Sequence, residues 1–107
     1  MTKEELMHRA IELSKNSVKT GGGPFGAVIA KDGIIIAEAS NSVTIDLDPT
    51  AHAEVNCIRP ATRKLKTFNL AGCEIYTSCE PCPMAAEAVT AMFQGRPNQP
   101  NDTATSL

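Results

Sequence analysis

The stretch PFGAVIAKDGIIIAEAS, residues 24–40, contains two apolar runs on either side of a short polar turn. Residues 25–30 and 34–38 are rich in valine and isoleucine, which favour β-strands. The turn between them is Lys31-Asp32-Gly33, and an Asp-Gly pair between apolar runs is a strong hairpin signal. The stretch therefore predicts a β-hairpin.

A helix is predicted before the hairpin, over about residues 3–19. Thr2 and Glu5 have the spacing of a capping box, which marks the start of a helix. The residues that then recur at helical intervals are Leu6, Ala10, Leu13, Ser17 and Val18. The run Gly21–Gly23 ends this pattern, so the helix stops before the hairpin begins.

A polar loop over residues 39–50 and a second helix from about Ala51 are predicted after the hairpin. Thr50 is the predicted N-cap of this helix. Pro60 would remove one backbone hydrogen bond and clash with the preceding turn, at a cost of about 3 kcal/mol. The helix is therefore predicted either to kink at Pro60 or to end near Ile58 and restart.

The C-terminal part adds one strand and one helix. CEIYTS, residues 73–78, is the predicted strand, and PCPMAAEAVTAMF, residues 81–93, is a predicted helix with proline at its first position. Residues 94–107 are polar, lack periodicity and predict a disordered tail. The order helix, hairpin, helix, strand, helix predicts a single α/β domain over residues 1–93.

The composition fits one small globular domain of 107 residues. A net charge of −2 without a basic run argues against a nucleic-acid partner. The charged N-terminus is not a signal peptide, and no apolar run approaches the roughly 18 residues of a membrane span. Four cysteines without a secretory signal favour a cytoplasmic location, where thiols stay reduced. We interpret Cys57 and Cys73 as residues that pack in the core.

Two short motifs have the residue types of a reactive site, and each lies at a predicted helix start: HAE at 52–54 and PC at 81–82. His52 and Glu54 would lie about 200° apart around a helix, so they could converge only at a point beyond the helix end. Helix N-termini carry unpaired N–H groups and partial positive charge. Two such ends directed at one point would stabilise an anion, including a metal-bound hydroxide.

The pattern H-x-E followed by P-C resembles the signature of zinc-dependent nucleobase deaminases. GGPFGAVIAKDG, DPTAHAEV and YTSCEPCPM together resemble the cytidine and deoxycytidylate deaminase superfamily, and within it the bacterial-type guanine deaminases. The resemblance covers about residues 1–84. Phe25 in GPFGA favours guanine deaminases over the related tRNA adenosine deaminases. The resemblance implies a three-layer α/β/α fold, here incomplete because the later strands of the family are missing.

The resemblance also implies a cofactor, a substrate and roles for individual residues. The cofactor would be Zn²⁺, with His52 and Cys82 as ligands and Glu54 as the catalytic proton shuttle. The substrate would be a small purine base, guanine, which is hydrolysed to xanthine and ammonia. The residues placed at the substrate by the resemblance are Phe25, Asn41 and Ala53.

The chain departs from the family pattern at the third zinc ligand, where Ala85 replaces a cysteine. Cys79 is a possible substitute, but it lies before the proline that starts the helix, so a free thiol or a core residue is the favoured interpretation. After Met84 the sequence no longer resembles the family. We therefore expect that the chain derives from a truncated, frame-shifted or alternatively ended reading frame. We also expect impaired activity and reduced zinc occupancy.

Three functions remain open. The first is an impaired guanine deaminase, with a tRNA adenosine or cytosine-type deaminase as the related alternative. The second is a non-catalytic remnant that acts as an interaction subunit. The family forms homodimers, so this subunit could pair with a full-length relative as a heterodimer. The third is a structural zinc module, for which two ligands are too few.

Overall fold

The structure is a computed structural model, and it describes residues 1–67, 69–78 and 83–93. The predicted disordered tail, 94–107, lies outside these residues. The elements in chain order are α1 (Lys3–Lys19), β1 (Gly26–Lys31), β2 (Ile34–Ser40), α2 (Val43–Asp46), α3 (Ala53–Leu65), β3 (Glu74–Thr77) and α4 (Pro83–Phe93). The predicted α/β fold is confirmed. The short helix α2, inside the predicted polar loop, is an addition.

The three strands of the described residues form an antiparallel sheet in the order β2-β1-β3. The predicted hairpin is confirmed, since β1 and β2 pair directly and both turn residues have positive φ: 53° at Asp32 and 78° at Gly33. A two-residue turn with this backbone matches the twist of the flanking strands. Strand β1 is central, and its residues 26–30 are buried.

Helices cover both faces of the sheet. Helix α1 lies on one face, where the buried cluster comprises Leu6, Ala10, Val28, Ala30 and Tyr76. Helices α3 and α4 lie on the other face, in a larger cluster that includes Ala27, Ile29, Ala53, Cys57, Ile75, Val89 and Phe93. Successive residues of β1 alternate between the two clusters, as the pleat requires. The result is the three-layer α/β/α arrangement, and Cys57 and Cys73 are buried in it as predicted.

Helix α1 begins with the predicted capping box, in which Thr2 and Glu5 each bond the other's backbone N–H. Its buried face is Leu6, Ala10, Ser14 and Ser17. Val18 was predicted to continue the apolar face, but 54% of it is exposed because the buried stripe runs one position earlier. Small buried residues let the helix approach the sheet closely, and a Cβ placed on Gly26 would lie 2.3 Å from the Ala10 carbonyl oxygen.

Helix α3 is continuous through Pro60, so the predicted break near Ile58 is wrong. Pro60 lies on the exposed surface of the helix. The predicted N-cap, Thr50, is also wrong, since His52 occupies that position. Thr50 is instead held by Asp48, whose Oδ1 accepts bonds from the Thr50 N–H (2.9 Å) and hydroxyl (2.7 Å). Across the described residues, every helix is too short or too polar to cross a membrane.

Candidate active site

One end of the sheet gathers several of the residues that the sequence singled out. Gly26, the first residue of β1, pairs with Ser40, the last residue of β2. Gly26 also forms two hydrogen bonds with Ser78, each 3.0 Å long. The Ser78 N–H donates to the Gly26 carbonyl oxygen, and the Gly26 N–H donates to the Ser78 Oγ. Phe25, Asn41 and Ser78 therefore lie at the same end of the sheet.

Phe25 and Asn41, both predicted at the substrate, are neighbours in space. The Asn41 N–H donates to the Phe25 carbonyl at 3.1 Å. A Cβ placed on Gly23 would lie 3.2 Å from the Phe25 ring and 3.4 Å from the Asn41 carboxamide. The two side chains thus flank the same point, and a residue without a side chain keeps that point open. The Phe25 side chain is 38% exposed, so part of it remains available for contact.

The backbone around Asn41 orients its side chain. Oδ1 of Asn41 accepts from the Val43 N–H at 3.1 Å, which is the geometry of an Asx turn. Ser17 Oγ donates to the Asn41 backbone carbonyl at 3.4 Å and ties the loop to α1. Because Oδ1 is engaged, the remaining polar group of this side chain is its Nδ2 amide, a hydrogen-bond donor.

His52 is the N-cap of α3 and has extended backbone angles, with φ −72° and ψ 154°. Its N–H donates to the Thr50 carbonyl, and its own carbonyl accepts from the Asn56 N–H, both at 2.8 Å. The predicted angle of about 200° between His52 and Glu54 assumed that both residues are helical. That assumption is wrong for His52, so its side chain need not point to the opposite side of the helix.

Glu54 lies in the first turn of α3 and is only 5% exposed. Burial raises the pKa of its carboxyl, while its own backbone N–H and the nearby His52 act in the opposite direction. Glu54 is thus a buried carboxyl at a helix start, which is the kind of group that general acid–base catalysis uses.

The loop that carries Asn41 is bonded to the start of α3. The Ser42 N–H donates to the Ala51 carbonyl at 2.9 Å. Asn41 and His52 each adjoin one residue of this bonded pair, so the predicted substrate residue and the predicted ligand residue lie at the same end of the fold. Ala53 is fully buried and its methyl group packs in the core, so the group that Ala53 can offer a substrate is its backbone.

The predicted zinc ligands lie only partly within the described residues. Cys82 and Cys79 lie outside the described residues, and His52 is the single predicted ligand inside them. Among residues 1–67, 69–78 and 83–93, no three His, Cys, Asp or Glu side chains form a group that could hold a metal ion. Position 85 lies in α4, where alanine supplies no donor atom. A catalytic zinc takes three protein ligands, so the predicted set of His52 and Cys82 is one short.

Three further residues shape this end of the fold without a role predicted from the sequence there: Gly23, Ser42 and Asn56. Gly23 was interpreted as part of the helix stop and of a family motif, and the structure shows that it also makes room beside Phe25 and Asn41. Asn56 could have been noticed as a polar residue one turn after His52, on a helix whose buried residues are apolar apart from Glu54. Two of its partners, Ser40 and Ser42, lie 16 and 14 residues away along the chain.

Comparison with known proteins assigns the class. Residues 1–96 match the family model described as the cytidine and deoxycytidylate deaminase zinc-binding region. The chain therefore belongs to the cytidine and deoxycytidylate deaminase family. In this family the matched region is a zinc-binding one.

Individual relatives refine this assignment. The chain is 54% identical over 90 residues to the guanine deaminase of Bacillus subtilis (strain 168), covering 83% of this chain and 58% of the relative. The crystal structure of the Bacillus subtilis guanine deaminase superposes with a TM-score of 0.84 at 51% identity, covering 92% of this chain and 62% of that one.

Two further relatives broaden the comparison. The tRNA-specific adenosine deaminase of Aquifex aeolicus (strain VF5) is 45% identical, covering 83% of this chain and 59% of the relative. A crystal structure of a protein in complex with 2,6-diaminopurine has a TM-score of 0.81 at 34% identity, covering 85% of this chain and 52% of that one. The chain thus spans less than two thirds of the length of the relatives it matches.

Proposed function

We propose that this site is built for the hydrolytic deamination of guanine, and that alanine at position 85 impairs the reaction in this chain. The observation that supports it best is the gathering of Phe25, Asn41, His52 and Glu54 at one end of the sheet. The 54% identity to a guanine deaminase supports the substrate, and a related structure with a bound purine supports a small-molecule ligand.

In the proposed reaction, water adds to the purine carbon that bears the amino group, and ammonia leaves. Glu54 would carry one proton of the attacking water to the ring nitrogen as the C–O bond forms. It would then carry the proton of the new hydroxyl to the amine, so that the C–N bond breaks and ammonia leaves. Guanine and water thereby become xanthine and ammonia. The low exposure of Glu54 supports this role, because a carboxyl shielded from bulk water keeps its proton for the substrate.

Phe25 and Asn41 would hold the base. The exposed part of the Phe25 ring can pack against a purine face. The Asn41 Nδ2 amide is a donor, and guanine presents two neighbouring acceptors, O6 and N7. The backbone N–H of Ala53, in the first turn of α3, is a further donor of the kind that helix starts leave unpaired.

His52 and Cys82 would be the ligands of the zinc, with Cys79 as a less favoured third ligand. Zinc supplies activated water at neutral pH when it is bound. With one donor missing at position 85, we expect weak zinc binding, because the binding energy depends on a complete ligand set. We also retain homodimer formation, and pairing with a full-length relative, as proposals.

The test is zinc content measured beside guanine-dependent ammonia release. The wild-type chain should contain little zinc and release little ammonia, whereas Ala85→Cys should gain zinc. Adenine, cytosine and a tRNA anticodon stem-loop serve as competing substrates. Ammonia from any of them in preference to guanine would contradict the proposed substrate.

A tRNA adenosine deaminase is the second candidate, and the 45% identity to the Aquifex aeolicus protein favours it. The net charge of −2 argues against it, since an RNA substrate requires a positive surface. Binding of the anticodon stem-loop that weakens with rising salt would support this second candidate.

A further inference from the structure

One carboxamide, that of Asn56, bonds three acceptors in two segments of the chain. It lies on α3, one turn after His52, and is half-buried. Its Nδ2 lies 2.9 Å from the Ser40 carbonyl, 2.8 Å from Ser42 Oγ and 3.2 Å from the Ala51 carbonyl. An amide nitrogen carries two hydrogens, so the three acceptors share them. Each acceptor belongs to the segments that lead into Asn41 or His52.

The bond to Ser42 has a defined direction. Ser42 Oγ donates its own proton to Asp46 Oδ2 at 2.7 Å, so it acts as an acceptor toward Asn56. Asn56, Ser42 and Asp46 thus form a chain of hydrogen bonds in which each link polarises the next. The backbone bond from Ser42 to Ala51 runs beside this chain at 2.9 Å. Together these bonds attach the loop after β2 to the first turn of α3.

We propose that Asn56 is a positioning residue that fixes the loop carrying Asn41 against the start of α3. Ser40 and Ser42 flank Asn41, and Asn56 bonds both of them, so the Asn41 backbone is held on either side. On the proposed function, which this inference extends, the distance between the base-binding amide and the reacting centre depends on that attachment. Small misplacements of a bound substrate cost large factors in rate.

Asn56→Asp is the primary test, because aspartate keeps the shape of the side chain and loses both donor hydrogens. Asn56→Leu is the second variant, of similar size and without charge, for the case in which the aspartate variant does not fold. Asn16→Asp is the matched control, since it makes the same charge change on the exposed surface of α1. Stability is measured for all variants, so that binding can be expressed per folded molecule.

The first readout is hydrogen exchange of the Ser42 amide, which needs no ligand. Loss of the Asn56 bonds should speed exchange of the Ser42 amide about tenfold, while the Val28 amide in β1 keeps its wild-type rate. In the control Asn16→Asp, the Ser42 and Val28 amides should both keep their wild-type rates. An unchanged Ser42 rate in folded Asn56→Asp and Asn56→Leu would overturn the proposal. Equal acceleration at Ser42 and Val28 would also overturn it, since that is global destabilisation.

The second readout is the affinity for 2,6-diaminopurine, measured by calorimetry in the presence of zinc. Binding to the Asn56 variants should weaken about tenfold per folded molecule. If the wild-type chain binds the purine and the variants bind it equally, positioning of the base by Asn56 is refuted and the proposed function stands. If the wild-type chain does not bind while Ser42 exchange responds, the attachment stands and the proposed function is contradicted.

Discussion

Gly26→Ala tests the close packing that places β1 at the candidate site. Gly26 lies where α1 crosses the start of β1, and a Cβ there would lie 2.3 Å from the Ala10 carbonyl oxygen. It would also lie 2.9 Å from the Leu13 Cβ and 2.9 Å from the Ser14 nitrogen. Two of these three atoms are helix backbone, so no side-chain rotation can relieve the contact.

The size of the effect follows from the shift that the helix must make. To bring the closest contact from 2.3 Å to an acceptable 3.0 Å, α1 has to move by at least 0.7 Å. Overpacking of a well-packed core costs typically about 1–3 kcal/mol, and a contact with backbone belongs at the upper end. We expect a loss of about 3 kcal/mol from a total of roughly 5–15 kcal/mol. The melting temperature should fall by about 12–24 °C.

The assay is urea unfolding followed by circular dichroism, with Gly23→Ala as the matched control. Both changes restrict the unfolded chain equally. At Gly23, however, the nearest atom is on the Phe25 ring at 3.2 Å, and this ring can rotate away. Gly23→Ala should therefore change the free energy of unfolding by less than about 1 kcal/mol. A Gly26→Ala variant within about 0.5 kcal/mol of wild type would refute the close packing of α1 on β1.

Three further predictions concern charge and reactivity. Arg9 donates two hydrogen bonds to Glu38, at 2.8 and 2.6 Å, and these bonds lower the pKa of Glu38. Glu38→Gln should therefore lower the free energy of unfolding at pH 7, measured in urea, by about 1 kcal/mol. That difference should be lost as the pH falls through the lowered, folded-state pKa of Glu38, and a constant difference would contradict it. Burial raises the pKa of Cys57 to about 12, so iodoacetamide should label Cys57 only when urea unfolds the chain. Peptide mass spectrometry measures the labelling, and rapid labelling of Cys57 in the native protein would contradict this prediction. In the Ala85→Cys background, Glu54→Gln should lower guanine-dependent ammonia release at least about 100-fold without changing zinc affinity, and unaltered release would remove Glu54 from the chemistry.

The parts of the fold that follow from local rules were predictable from the sequence. The Asp32-Gly33 turn and the Thr2–Glu5 capping box depend on residues close together in the chain, and both are confirmed. The errors arose where a distant or competing contact decides. Asp48 takes the bonds of Thr50 and leaves His52 as the N-cap, and α3 continues through an exposed Pro60 that local rules treat as a break.

The candidate site was predictable in its residues more than in its geometry. The motifs gave His52 and Glu54, and the structure confirms that both lie at a helix start. The contact between Phe25 and Asn41 depends on how β1 and β2 pair, and the role of Asn56 depends on where Ser40 and Ser42 fold back. A pattern along the chain does not contain these distances. The pairing of His52 with Cys82 stays a prediction.

Zinc affinity of the wild-type chain and of Ala85→Cys, measured by competition with a chelator, tests the central claim most directly. Zinc sites with four ligands bind with about 10–16 kcal/mol, or roughly 3 kcal/mol per ligand, so a restored cysteine should tighten binding by about 100-fold. His52→Ala in the Ala85→Cys background should abolish that gain. Equal zinc affinity in the wild-type and Ala85→Cys chains, or a gain that survives His52→Ala, would contradict a metal site built on His52 and the start of α4.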